Sequence, residues 1–276
     1  MGGCRVRGPT AAVRRAMSAF WSRILISAAG IPLVLWLVYL GGWPMFGLAA
    51  VAALVALHEL YWMTRTLRPV VLAGYLGALA ALLGATLGGA DWALAGLMST
   101  LLFAFVIKGG LSTVSVSVTV LGVAWIGLGL AHALLLRDID EHGVLAVYTV
   151  LLAVWAGDAA AYFVGRLVGR HKLAPTVSPG KSWEGLIAGI VATVAVTFVA
   201  VYEQSFLTIS ESLVLGVVIA VVAPLGDLFE SALKRDADVK DSGRLLGGHG
   251  GVLDRIDALL FAWVAAYYVV VAFGAA

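Results

Sequence analysis

Long apolar runs, broken by glycine, proline or a charged cluster, follow one another along almost the whole chain. Nine of them approach the roughly 20 residues that a helix needs to cross the hydrocarbon core of a bilayer. They cover residues 24–40, 45–64, 69–89, 92–107, 114–136, 144–165, 185–202, 212–233 and 258–275, the fourth being short. The runs are rich in Leu, Ala, Val and Gly and lack the alternation of a membrane barrel strand. Helices satisfy their own backbone groups where no water is present, so the pattern predicts an all-α integral membrane protein with about nine transmembrane helices.

Composition supports this solvent. The chain is 62% hydrophobic and 12% charged, against roughly 25% charged in soluble domains. One cysteine, Cys4, excludes a disulfide framework or a zinc cluster. The formal charge of +2 is too small to imply a nucleic-acid partner. Arg5, Arg7, Arg14 and Arg15 precede the first run as a signal-peptide n-region would. However, that run exceeds the roughly 7–15 residues of a signal core, and it ends in Gly41-Gly42-Trp43-Pro44 without a small-residue cleavage site. It is expected to be retained, and Met17 offers a second start.

The placement of charge orients the chain. Of the 18 basic residues, all but Arg137 fall on one side of the nine-span arrangement. The positive-inside rule then predicts a cytoplasmic N-terminus and an outer C-terminus. The chain reads as one membrane domain: a basic segment (1–22), N-terminal helices (23–143), and C-terminal helices with long cytoplasmic loops (144–276).

Polar residues inside the C-terminal runs carry the candidate chemistry. Asp158 interrupts the sixth run, with Tyr162 one turn on along the same face. A carboxylate there costs about 2.5–3.5 kcal/mol on insertion scales, so it reads as a group facing a wet cavity or as a paired structural acid. The loop 165–185 gathers Arg166, Arg170 and Lys172 with Ser178-Pro179-Gly180-Lys181-Ser182, a composition suited to phosphate. A purely topogenic basic loop would explain its cations but not its serines. Gly180-Lys181-Ser182 imitates a P-loop, but Pro175 stands where that motif needs its first glycine. Asp227, Glu230, Ser231 and Lys234 follow helical spacing and form one polar face at the end of the eighth run. Beyond it come Arg235, Lys240-Asp241, a glycine-rich stretch around His249, and Asp254-Arg255-Ile256-Asp257. Carboxylates without thiols favour a hard cation. His58, Glu59 and His132 gain no role from the sequence.

From Ser231 to Asp257 the residues resemble the phosphatidate cytidylyltransferase family. They meet its pattern S-x-[apolar]-K-R-x4-K-D…H-G-G-[apolar]-x-D-R-[apolar]-D. The stretch from Asp158 through Gly165-Arg166 to Gly185 is similar to the same family. The resemblance implies transfer of a cytidylyl group from CTP to phosphatidic acid held in membrane lipid. It implies a Mg²⁺ requirement with K⁺ as second cation. Asp227 and Asp254 would be the metal carboxylates, with Lys240 and Asp241 in the catalytic set. Ser178, Lys181, Ser182, Ser231, Lys234, Arg235, His249 and Arg255 would hold substrate phosphate, and Asp158, Tyr162 and Asp257 are further candidates. A bacterial-type inner membrane, a site facing the cytoplasm and a homodimer complete these expectations. A CTP-dependent polyprenol-type kinase and an ion-coupled transporter are the rival readings.

Overall fold

A computed structural model describes residues 30–110, 112–202, 204, 206–243 and 250–274. The basic segment 1–22, the start of the first predicted span, and His249 lie outside the described residues. Among the described residues the chain runs α1 (Gly30–Leu40), α2 (Gly42–Met63), α3 (Val71–Gly88), α4 (Ala90–Lys108), α5 (Thr113–Gly122) and α6 (Leu128–Arg137). It continues through α7 (Gly143–Val168), β1 (Lys172–Ala174), β2 (Ser178–Ser182), α8 (Trp183–Val201), α9 (Ile209–Asp236) and α10 (Leu253–Ala272). A π-helical turn, Val123–Gly127, joins α5 to α6 into one span, Thr113–Arg137. Among the described residues eight segments are long and apolar enough to cross a membrane, and the protein is an all-α multi-pass membrane protein.

Local chemistry sets the breaks. Gly41 and Gly89 stand between helices at φ +65° and +81°, a region that side chains with a Cβ rarely adopt. Thr208 opens α9 with a capping box: its Oγ1 accepts from the Glu211 N–H, and its own N–H donates to Glu211 Oε2 at 2.8 Å. Trp43, Trp62, Trp92 and Trp183 are exposed and stand within two residues of helix ends, where interfacial aromatic residues anchor a span.

The bundle core is aliphatic, with Leu57, Leu60, Leu82, Ile126, Leu215, Ile219 and Leu260 fully buried. α3 packs on α4, α7 on α8, and α9 on both α8 and α10; α10 in turn meets α6. Glycines set the closest crossings at the site. A Cβ on Gly185 would lie 2.7 Å from the Ala161 carbonyl oxygen, so α7 and α8 touch through their backbones.

Two boundaries differ from the hydropathy pattern, and both matter for the site. Helix α9 runs three residues past the predicted 233, so Asp227 lies well inside it rather than in its last turn. Helix α10 begins at Leu253, five residues before the apolar run, so Asp254 and Asp257 belong to a helix start and not to a loop. Acids in a first helical turn are stabilised by the helix dipole even though they lower hydropathy. The loop 165–185 also holds an antiparallel hairpin, with Lys172 opposite Ser182 and Ala174 opposite Ser178.

Candidate active site

The hairpin, the C-terminal half of α7, the start of α8, the polar face of α9 and the start of α10 enclose one cavity of about 950 Å³. Each element has a local reason to be there. Strand β2 leads directly into α8, and Ser182 caps that helix by accepting from the Gly185 N–H at 3.2 Å. The hairpin is tied down from both sides. His171 donates its N–H to Glu184, its ring Nδ1 lies 2.6 Å from Glu184 Oε1, and Arg235 Nε donates to the Val177 carbonyl at 3.2 Å. On α9, Gly226 lets the helix approach α10: a Cβ there would lie 2.7 Å from the Asp257 carbonyl oxygen. That contact brings the α9 acids beside the α10 acids.

Charges are paired across these elements. Lys181 Nζ of β2 lies 2.8 Å from Asp227 Oδ2 of α9. The other oxygen of Asp227 accepts from Ser231 Oγ at 3.3 Å. Lys234 donates to Glu230 Oε2 at 2.7 Å and to Asp254 Oδ1 at 2.8 Å, so one ammonium joins α9 to α10. Asp254 Oδ2 also accepts from the Gly251 N–H at 2.7 Å and the Ser242 N–H at 3.1 Å. Asp257 is buried and accepts from the Ala258 N–H at 2.8 Å. Arg166 donates to the Tyr162 hydroxyl at 2.9 Å.

Most of the predicted site residues meet here. Asp158, Tyr162, Ser178, Lys181, Ser182, Asp227, Lys234, Asp241, Asp254, Arg255 and Asp257 line the cavity. Ser231 is buried behind the wall and holds Asp227. Arg235 and Lys240 are exposed and off the wall; Arg235 braces the hairpin instead. The P-loop comparison is settled geometrically: Gly180-Lys181-Ser182 is strand, not a phosphate-wrapping loop. Glu230, Arg166 and Lys172 join the wall as well. His132 is buried elsewhere, beside Tyr267 and Tyr268.

The wall carries six carboxylates against five basic side chains, a balance that cannot alone attract a polyphosphate. Among the described residues no three acids or histidines converge as a complete metal cage. Magnesium, however, is usually held by one or two carboxylates together with substrate phosphates. The donor set fits such a hard cation: it offers oxygen ligands in excess, and the buried Glu230 Oε1 has no hydrogen-bond partner among the described residues.

The profile of the cytidylyltransferase family matches residues 21–273. The chain belongs to this family. It is 33% identical over 263 residues to the phosphatidate cytidylyltransferase of Bacillus subtilis, which covers 91% of this chain and 97% of that one. The protein of the same name from Staphylococcus haemolyticus is 34% identical over 249 residues, 87% of this chain and 94% of that one. The Haemophilus influenzae phosphatidate cytidylyltransferase reaches 46% identity, but over 123 residues, 43% of each chain. The family is one of nucleotidyltransferases, and this chain is a membrane-embedded enzyme of that class.

Proposed function

We propose that the chain moves the cytidylyl group of CTP onto phosphatidate, releasing pyrophosphate and forming CDP-diacylglycerol. The observation that carries this reading is the cavity itself. It joins a cationic hairpin to paired acids on the transmembrane helices α9 and α10, in a chain similar along nearly its whole length to phosphatidate cytidylyltransferases. An oxygen of the phosphatidate headgroup attacks the α-phosphorus of CTP. The bond from that phosphorus to the bridging oxygen breaks, and pyrophosphate leaves with the electron pair. The lipid phosphate is already a nucleophile at neutral pH, so no enzyme nucleophile is required.

The chain's own residues bring two anions together. Lys181, Lys234 and Arg255 offset negative charge on the phosphates, and Ser178 and Ser182 present hydroxyl donors. The ammonium groups of Lys181 and Lys234 rest on carboxylates at 2.8 Å, contacts that incoming phosphate oxygens can replace. Asp227 and Asp254 would hold Mg²⁺, with K⁺ as a second cation, and these ions when bound would neutralise charge on the attacking and leaving oxygens. The lysines and the acids share the end of the bundle to which the positive-inside rule assigns the cytoplasm, the compartment that supplies CTP. The acyl chains of phosphatidate stay in the inner membrane.

Purified protein incubated with α-labelled CTP, phosphatidate and Mg²⁺ should place label in the lipid phase as CDP-diacylglycerol. Asp254→Asn should lower the rate by about a thousand-fold, the scale of several kcal/mol of lost charge stabilisation. Transfer of label from the γ-position of CTP instead would identify a lipid kinase and overturn the proposal.

A further inference from the structure

Glu59 lies in the last turns of α2, in the N-terminal half of the bundle, and is 6% exposed. A carboxylate this buried needs hydrogen-bond partners. Among the described residues it has three, and none belongs to a neighbouring part of the sequence. Oε1 accepts from the Val252 N–H at 3.0 Å; Oε2 accepts from the Leu253 N–H at 2.9 Å and from Ser242 Oγ at 3.2 Å. All three donors lie between the end of α9 and the start of α10, where the amides of a helix N-terminus have no acceptor within their own helix.

The same residues hold Asp254. The Gly251 N–H, next in line before Val252, donates to Asp254 Oδ2 at 2.7 Å. Ser242 gives its hydroxyl to Glu59 and its N–H to Asp254 at 3.1 Å. Two carboxylates therefore divide one set of donors, Asp254 from the cavity side and Glu59 from behind. Gly243 and Gly251 lie so close to Glu59 that a Cβ on either would run into its carboxylate. Glu59 itself is not on the cavity wall.

We propose that Glu59 is a positioning residue for Asp254: it clamps Ser242 and the first amides of α10, and thereby fixes the orientation in which Asp254 meets the cavity. The inference rests on the reading of Asp254 as a metal carboxylate. A carboxylate suits this place better than an amide would. Glutamine would keep one acceptor oxygen, and its NH₂ would face a donor that now bonds to Glu59.

The test uses the full-length protein in detergent. Binding of Mn²⁺ alone, followed by the paramagnetic resonance of the free ion, should weaken about 10–100-fold in Glu59→Gln, the range for losing a residue that supports a metal ligand. Hydrogen exchange, measured without substrates, should speed up in peptides containing Ser242 and Val252 and stay unchanged in α3 and α4. In turnover, the Mg²⁺ concentration giving half-maximal rate should rise, while the KM for phosphatidate holds. Ser242→Ala, which keeps the amide on Asp254, should give a smaller effect, and the double variant should be less than additive. This pair of mild variants keeps the test decisive should Glu59→Ala not fold. Wild-type Mn²⁺ affinity and unchanged local exchange in Glu59→Gln would overturn the clamp. A wild-type protein that makes CDP-lipid but binds no Mn²⁺ would instead overturn the metal reading of Asp254, and the inference with it.

Discussion

Arg137 and Lys234 both stand in the last turn of a helix, at opposite ends of the bundle, and they are held in different ways. Arg137 donates Nε to the Val38 carbonyl at 2.8 Å and Nη2 to the Tyr39 carbonyl at 2.9 Å, closing the orphan end of α1. Tyr148 reinforces the same helix by donating to the Leu35 carbonyl at 2.7 Å. Among the described residues Lys234 Nζ bonds to two side chains, Glu230 and Asp254. Lys181 likewise pairs with the carboxylate of Asp227. A cation on backbone carbonyls is part of the scaffold, because releasing it leaves orphan acceptors. A cation on a carboxylate can exchange that partner for a phosphate oxygen. The comparison separates charge that builds the molecule from charge available to a ligand.

Three substitutions sharpen it. At the cavity end the Lys234–Asp254 pair bridges α9 and α10, so it depends on how closely these two helices approach. Gly226→Ala should push α9 off Asp257 and lower kcat on the order of a hundredfold, since displacements near 1 Å can cost that much. Normal turnover in this variant would show that the α9–α10 spacing does not set the site. Lys181→Ala should lower kcat/KM for CTP about 10–100-fold, the loss of one charge-assisted contact, with little change in resistance to unfolding by detergent. Arg137→Ala should do the reverse. Its stability in the same unfolding assay should fall by about 1–2 kcal/mol, with kcat and KM unchanged. A catalytic defect in Arg137→Ala would erase the distinction between the two ends.

The spans were legible because apolar length is a direct signal, and the eight long helices fall on the predicted runs. The polar faces were legible because helical spacing brings Asp227, Ser231 and Lys234 into register. What escaped depends on partners distant in sequence. The donors to Glu59 lie more than 180 residues away, and two of them are backbone amides, which carry no side-chain signature. The one available clue was an acid inside an apolar span, a feature that points to function by default. The hairpin escaped for another reason. Lys-Leu-Ala and Ser-Pro-Gly-Lys-Ser have little strand preference, and the pairing is stabilised by its ties to Glu184 and Arg235. The start of α10 was misplaced because its acids interrupt the hydropathy that locates spans.

The π-helical turn at Val123–Gly127 has a consequence for how the chain can change over generations. Such a turn holds one residue more than an α-helical turn. The extra residue is absorbed locally as a bulge, so the helix on either side keeps its phase although the chain between the two halves is one residue longer. Trp125, in the turn, packs edge-on against Phe229 at 4.9 Å on the helix that bears Asp227, and His132, beyond it, packs beside Tyr267 and Tyr268. Deleting one residue inside the turn would close it to plain α-helix and leave both halves facing α9 and α10, whereas deleting one elsewhere in the span would rotate one half against the other by about 100°. Drift in length by one residue is thus open to this turn and closed to the rest of the span.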